Sequence, residues 1–143
     1  MLTSLFIVDD DPITVKICEM VIKNTEFASA VTHFENGQKC INFFSNYFEK
    51  NLDKSKNVVM PELILLDLNM PVLDGWGFLD HYERKYANRL TETKIAILTS
   101  SINPQDFMKA QQYSNIIDFI YKPLLTNIVE ELKEHEALKM YFS

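Results

Sequence analysis

Leu63-Ile64-Leu65-Leu66-Asp67 is the stretch that decides how this chain folds. Four apolar residues in a row, with no polar alternation, suit a strand covered on both faces as in a parallel sheet, and the run stops at a carboxylate. Downstream, Trp76, Leu79, Tyr82 and Tyr86 recur at helical spacing, Ile95 to Leu98 forms a fourth strand and Phe107 to Tyr113 a short helix. Ile116 to Tyr121 is a fifth strand, and Ile128, Val129, Leu132 and Leu138 mark a closing helix. Upstream, Leu5 to Val8 is a strand, followed by a helix carrying Ile13, Ile17, Met20 and Val21. A second strand is expected around Phe27 to His33, then a helix from about Gly37 carrying Cys40, Ile41, Phe44, Tyr47 and Phe48. Five strand–helix units of about 25 residues each predict an α/β fold, a doubly wound five-stranded parallel sheet with helices on both faces and right-handed crossovers.

The length of 143 residues suits one domain. The polar stretch from Glu49 to Met60 reads as a surface loop between the second helix and third strand, and a last helix running nearly to Ser143 leaves no effector domain in this chain. With glycines only at Gly37, Gly75 and Gly77, neither a dinucleotide fingerprint nor a P-loop can be written. A formal charge of −6 offers no electrostatic footprint for nucleic acid. Cys18 and Cys40 have no metal-ligand spacing and read as buried thiols. The first residues lack a basic segment and a long apolar run, so neither a signal peptide nor a membrane span is expected, and the protein reads as cytoplasmic.

In open α/β sheets the functional groups stand just past the carboxyl ends of the strands. Strand one ends in Asp9-Asp10-Asp11, strand three in Asp67, strand four in Thr99 and strand five in Lys122. Carboxylates converging at one edge repel one another at low dielectric, and a bound cation relieves them. Hard oxygen ligands favour Mg²⁺, which keeps several of its waters. Lys122 and Thr99 add a positive charge and a hydroxyl donor, completing the electrostatic parts needed to stabilise a phosphoryl group in transfer to a carboxylate.

Four segments in order, Phe6-Ile7-Val8-Asp9-Asp10-Asp11-Pro12, Leu65-Leu66-Asp67-Leu68-Asn69-Met70-Pro71-Val72-Leu73-Asp74-Gly75, Ile97-Leu98-Thr99-Ser100 and Tyr121-Lys122-Pro123, resemble the receiver domain of two-component response regulators. The resemblance spans essentially the whole chain, residues 1–143, and implies a flavodoxin-like fold with strand order 2-1-3-4-5. It implies that Asp67 is the phosphoacceptor, that Asp10, Asp9 and Asp67 bind Mg²⁺ with the Asn69 backbone carbonyl, and that Thr99 and Lys122 each take a phosphoryl oxygen. Phe119 would fill the aromatic switch position alongside Thr99, in place of the frequent tyrosine and without its hydroxyl. A cis peptide at Lys122-Pro123 is also implied. The donor would be a phosphohistidine on a histidine kinase or phosphotransfer protein, and the output an altered surface for a downstream protein. Such a domain assists its own phosphorylation and dephosphorylation but is not an enzyme with independent substrate turnover.

Other residues have local explanations. Asp11-Pro12 is the cap and first residue of a helix, and Asp74-Gly75 a turn and helix start. His33, His81 and His135 have no ligand spacing and read as structural or surface residues, while Trp76 and Phe78 read as core-facing. Three rivals share the fold or its parts. A flavodoxin needs a Ser/Thr/Gly-rich phosphate loop after strand one, where this chain has Asp9-Asp10-Asp11-Pro12, so FMN is not expected. A haloacid-dehalogenase-type phosphatase needs an aspartate two residues after its nucleophile, where this chain has Asn69. A degenerate receiver serving only as an interaction module usually lacks one of the acid pair, the acceptor or the lysine, all present here.

Overall fold

The computed structural model describes residues 1–50 and 58–143. Five strands, β1 (Leu5–Val8), β2 (Val31–Phe34), β3 (Leu63–Leu66), β4 (Lys94–Thr99) and β5 (Ile116–Tyr121), pair in parallel in the order β2-β1-β3-β4-β5. The helices between and after them are α1 (Pro12–Asn24), α2 (Gly37–Phe48), α3 (Gly75–Lys85), α4 (Pro104–Ala110) and α5 (Thr126–Glu134). The flavodoxin-like order expected from the resemblance is therefore the one found.

Side-chain alternation along the strands builds two cores. Phe6, Val8, Ile64, Leu66, Ile95 and Ile97 face α2 and α3, whose Phe44, Phe78, Leu79 and Tyr82 are fully buried. Leu5, Ile7, Leu63, Leu65, Ala96 and Leu98 face α1 and α5, meeting Val15, Cys18, Ile22, Val129 and Leu132. Both cysteines are free and buried. Four helices open on a side-chain cap: Asp11, Asn36, Asp74 and Asn103 each accept a hydrogen bond from a first-turn amide, which satisfies one of the unpaired N–H groups there.

Three elements depart from the sequence expectations by three residues or more at an end. The second strand is Val31–Phe34 and not Phe27 to His33, because the chain leaves α1 through Glu26 at φ 52° and drives Phe27 into the core, where its carbonyl accepts from Leu2 N. Helix α4 is Pro104–Ala110 and not Phe107 to Tyr113, because Asn103 caps it and Pro104 is preset for a first turn. Helix α5 stops at Glu134, since His135 is extended at ψ 139° and its Nδ1 accepts from Ala137 N. Leu138 is buried beyond the helix, just before a 3₁₀ turn at Lys139–Tyr141, so the helix does not run on to Ser143. Of the polar stretch from Glu49 to Met60, residues 51–57 lie outside the described residues.

Candidate functional site

The register aligns the strand ends. Val8 is level with Leu66, Leu66 with Ile97, and Thr99 with Tyr121, so the residues that follow β1, β3 and β5 emerge beside Thr99 at one edge. Asp9, Asp10 and Asp67 each bring a carboxylate oxygen to within 4.8 Å of the others. Asp9 and Asp67 are buried, while Asp10 is exposed. Lys122 Nζ lies 3.0 Å from Asp9 Oδ2 and 3.4 Å from Asp67 Oδ2. Asp9 Oδ2 is fully buried, and the Lys122 ammonium is the cation beside it. Thr99 is fully buried at the end of β4, and its Oγ1 accepts from Ser101 N at 3.1 Å.

The electrostatics follow from burial. Desolvation raises the Asp9 carboxyl above the ordinary carboxylate value, opposed by the Asp11 amide and the Lys122 ammonium. Desolvation and then the Asp9 charge push Asp67 up to about 6, with Lys122 and the Asn69 amide acting against them. Burial would lower Lys122, but its two carboxylate partners outweigh that and hold its pKa above the usual lysine value. The cluster is thus short of positive charge. Three hard carboxylate oxygens within 4.8 Å of one another, two of them on buried residues served by a single ammonium, fit a small divalent cation of the Mg²⁺ type.

The remaining residues fall as follows. Asp11 accepts from Ile13 N and Thr14 Oγ1, so it serves as the α1 cap and stands outside the cluster of Asp9, Asp10 and Asp67. Asp74 accepts from Gly77 N in the same way at α3. The Lys122-Pro123 peptide is cis. Phe119 is half-buried, its ring 5.5 Å from both Phe107 and Tyr121 in edge-on contacts. Trp76 is half-buried and packs against the core that holds Phe78, stacking on Tyr113 at 6.2 Å beneath the Lys109 ammonium.

Residues 5–133 match the family described as the response regulator receiver domain. The chain belongs to that family. This receiver is 31% identical to the two-component response regulator ARR17 of Arabidopsis thaliana over 128 residues, 90% of this chain and 80% of that protein. It is 36% identical over 81 residues to the probable methanogenesis regulatory protein FilR2 of Methanothrix harundinacea, covering 53% of this chain and 50% of that one. Among solved structures, a two-component response regulator from Cytophaga hutchinsonii superposes with a TM-score of 0.77 at 24% identity, covering 93% and 95% of the two chains. The Mn²⁺-bound form of response regulator Rcp1 superposes with a TM-score of 0.71 at 20% identity, covering 92% of each. These two likenesses speak to the fold.

Three features of the receiver were not legible in its sequence. His33 Nε2 bonds the Asp9 carbonyl at 2.8 Å, a contact that depends on the β1–β2 register. Gly75 packs against the Asp67 backbone, although its sequence signal is only that of a turn. Ser101 joins Thr99 to helix α4, its amide on Thr99 Oγ1 and its hydroxyl donating to Asp106 Oδ2 at 2.6 Å.

Proposed function

We propose that this receiver takes a phosphoryl group from a phosphohistidine onto Asp67 and thereby changes its surface for a downstream protein. The observation that carries the reading is the convergence of Asp9, Asp10 and Asp67 around one gap, with the Lys122 ammonium bridging two of them. A carboxylate oxygen of Asp67 attacks phosphorus, the phosphorus–nitrogen bond breaks, and the imidazole leaves with its electron pair. Mg²⁺, held by Asp9, Asp10, Asp67 and the Asn69 carbonyl, would neutralise charge on the phosphoryl oxygens. Lys122 pairs with one phosphoryl oxygen and orients it. The Thr99 hydroxyl donates to another. Asn69 stands two residues past the acceptor and cannot protonate a leaving group as an acid would, which favours storage of the acyl phosphate over turnover of phosphoesters. Residues 1–143 act in this reading as one receiver unit in the cytoplasm, with a histidine kinase or phosphotransfer protein as donor.

The output surface is the one formed by α4, β5 and α5. The phosphoryl group adds about −1.5 to −2 of charge and three strong acceptors. When Thr99 turns its hydroxyl to one of them it moves relative to the Ser101 amide, and Ser101 in turn holds Asp106 in the first turn of α4. Phe119 lies against Phe107 on the same helix. The change therefore reaches α4 through a polar route and an aromatic one.

The test is incubation with acetyl phosphate and Mg²⁺, read by intact mass. One added phosphoryl group is expected, absent without Mg²⁺, released by hydroxylamine and absent in Asp67→Asn. Modification of Asp67→Asn to the same extent as wild type overturns the assignment.

A further inference from the structure

Asp9 is gripped on both sides of its α-carbon by the edge strand β2. Its N–H donates to the Phe34 carbonyl at 3.0 Å, one step past the Val8–Phe34 pair of the parallel ladder. The next rung of a parallel ladder would bring the Asn36 N–H to the Asp9 carbonyl. The chain has left the sheet by then, because Asn36 is the cap of α2 and its side chain accepts from Lys39 N. Among the described residues no main-chain donor reaches the Asp9 carbonyl. The His33 imidazole takes that place, with Nε2 at 2.8 Å. A carbonyl can only accept, so Nε2 carries the proton and donates.

This bond acts on more than one atom. The Asp9 carbonyl and the Asp10 N–H share one rigid peptide plane, so fixing the oxygen fixes the direction in which the chain leaves Asp9 and where Asp10 begins. Asp9 Oδ1 in turn accepts from Asp11 N at 2.9 Å, which binds the same turn from its other side. His33 itself is exposed and belongs to neither hydrophobic core, so its loss opens no cavity.

We propose that His33 is a positioning residue for the acid pair: it completes the ladder at the Asp9 carbonyl, holds the Asp9–Asp10 peptide in the orientation that brings both carboxylates toward Asp67, and so sets the affinity of the site for a divalent cation. The inference rests on the reading of Asp9, Asp10 and Asp67 as a Mg²⁺ site.

The test uses the full chain as wild type, His33→Ala and His33→Gln, the last placing an amide N–H near the position of Nε2. In metal-free protein, amide hydrogen exchange at Asp9 and Asp11 should quicken about threefold to tenfold in His33→Ala and return toward wild type in His33→Gln, with Leu65 and Ile97 unaffected. Titration with Mg²⁺, followed by amide resonances, should show a dissociation constant weaker by about threefold to tenfold in His33→Ala and restored in His33→Gln. If wild type responds to Mg²⁺ and His33→Ala responds equally, with unchanged exchange, the reading of the site stands and this inference falls. If wild type itself shows no saturable response, the reading of the site fails and takes the inference with it.

Discussion

A β-carbon at Gly75 would stand 2.5 Å from the carbonyl oxygen of Asp67. The same added atom would lie 2.8 Å from the Leu68 α-carbon, so backbone and not a flexible side chain obstructs it on both sides. The Gly75 N–H donates to the Leu68 carbonyl at 2.9 Å, which ties the start of α3 to the end of β3. Gly75→Ala should therefore cost about 1–3 kcal/mol and displace the Asp67 backbone. Gly77→Ala is the control, because there the nearest atom is Leu73 Cδ1, the end of a side chain that can rotate away. Urea denaturation of both variants checks this; equal losses would contradict it.

Asp67 makes the stability of the metal-free protein depend on pH. Its folded pKa is raised from the ordinary 3.8 to about 6, so between those values the native state holds a proton that the unfolded chain has released. Stability then falls as pH rises through this window. From about pH 4 to about pH 6.5 the loss through Asp67 should be on the order of 1–3 kcal/mol, and Asp67→Asn should remove it. At neutral pH added Mg²⁺ should raise the melting temperature of wild type more than that of Asp67→Asn. Denaturation curves at several pH values, giving identical pH slopes for the two proteins, would refute this.

Val72 is the central residue of a γ-turn closed by Leu73 N on the Pro71 carbonyl at 2.8 Å, and it sits at φ 71°. A β-branched side chain is strained in that region, and at 79% exposure it recovers little by packing. Val72→Asn should stabilise the protein by about 0.5–1 kcal/mol, seen as a higher denaturation midpoint with unchanged slope. A lower midpoint would show that the turn is not strained.

The link from Thr99 to α4 should be separable from the chemistry at Asp67. With beryllofluoride bound as a phosphoryl mimic, wild-type amide resonances should shift both around Asp67 and over residues 101–119. In Ser101→Ala the shifts around Asp67 should persist while those in α4 shrink by about half or more, because the hydroxyl bond to Asp106 is gone. Phe119→Ala should reduce them through loss of the Phe107 contact. Full wild-type shifts in both variants would exclude this route.

The sequence already carried the alternation of strands and helices, because continuous apolar runs such as Leu63 to Leu66 and the helical spacing that follows are local signals of burial. It also carried the chemistry at the strand ends, since a strand of known direction leaves its next residue at a known edge of the sheet. The caps at Asp11 and Asp74 were legible for the same reason, as each bonds an amide two or three residues away. What only the tertiary structure decided are distances between segments remote in the chain. No local pattern says that Lys122 reaches both Asp9 and Asp67, that His33 takes the rung that Asn36 leaves empty, or that Lys109 covers the outer side of Trp76 where it packs at the edge of the core. Nor does it say where helix α5 gives way, since Leu138 is buried as its spacing suggests but by a chain that has already turned. Periodicity reports which residues are covered, whereas the register between strands and the packing of helices settle what covers them.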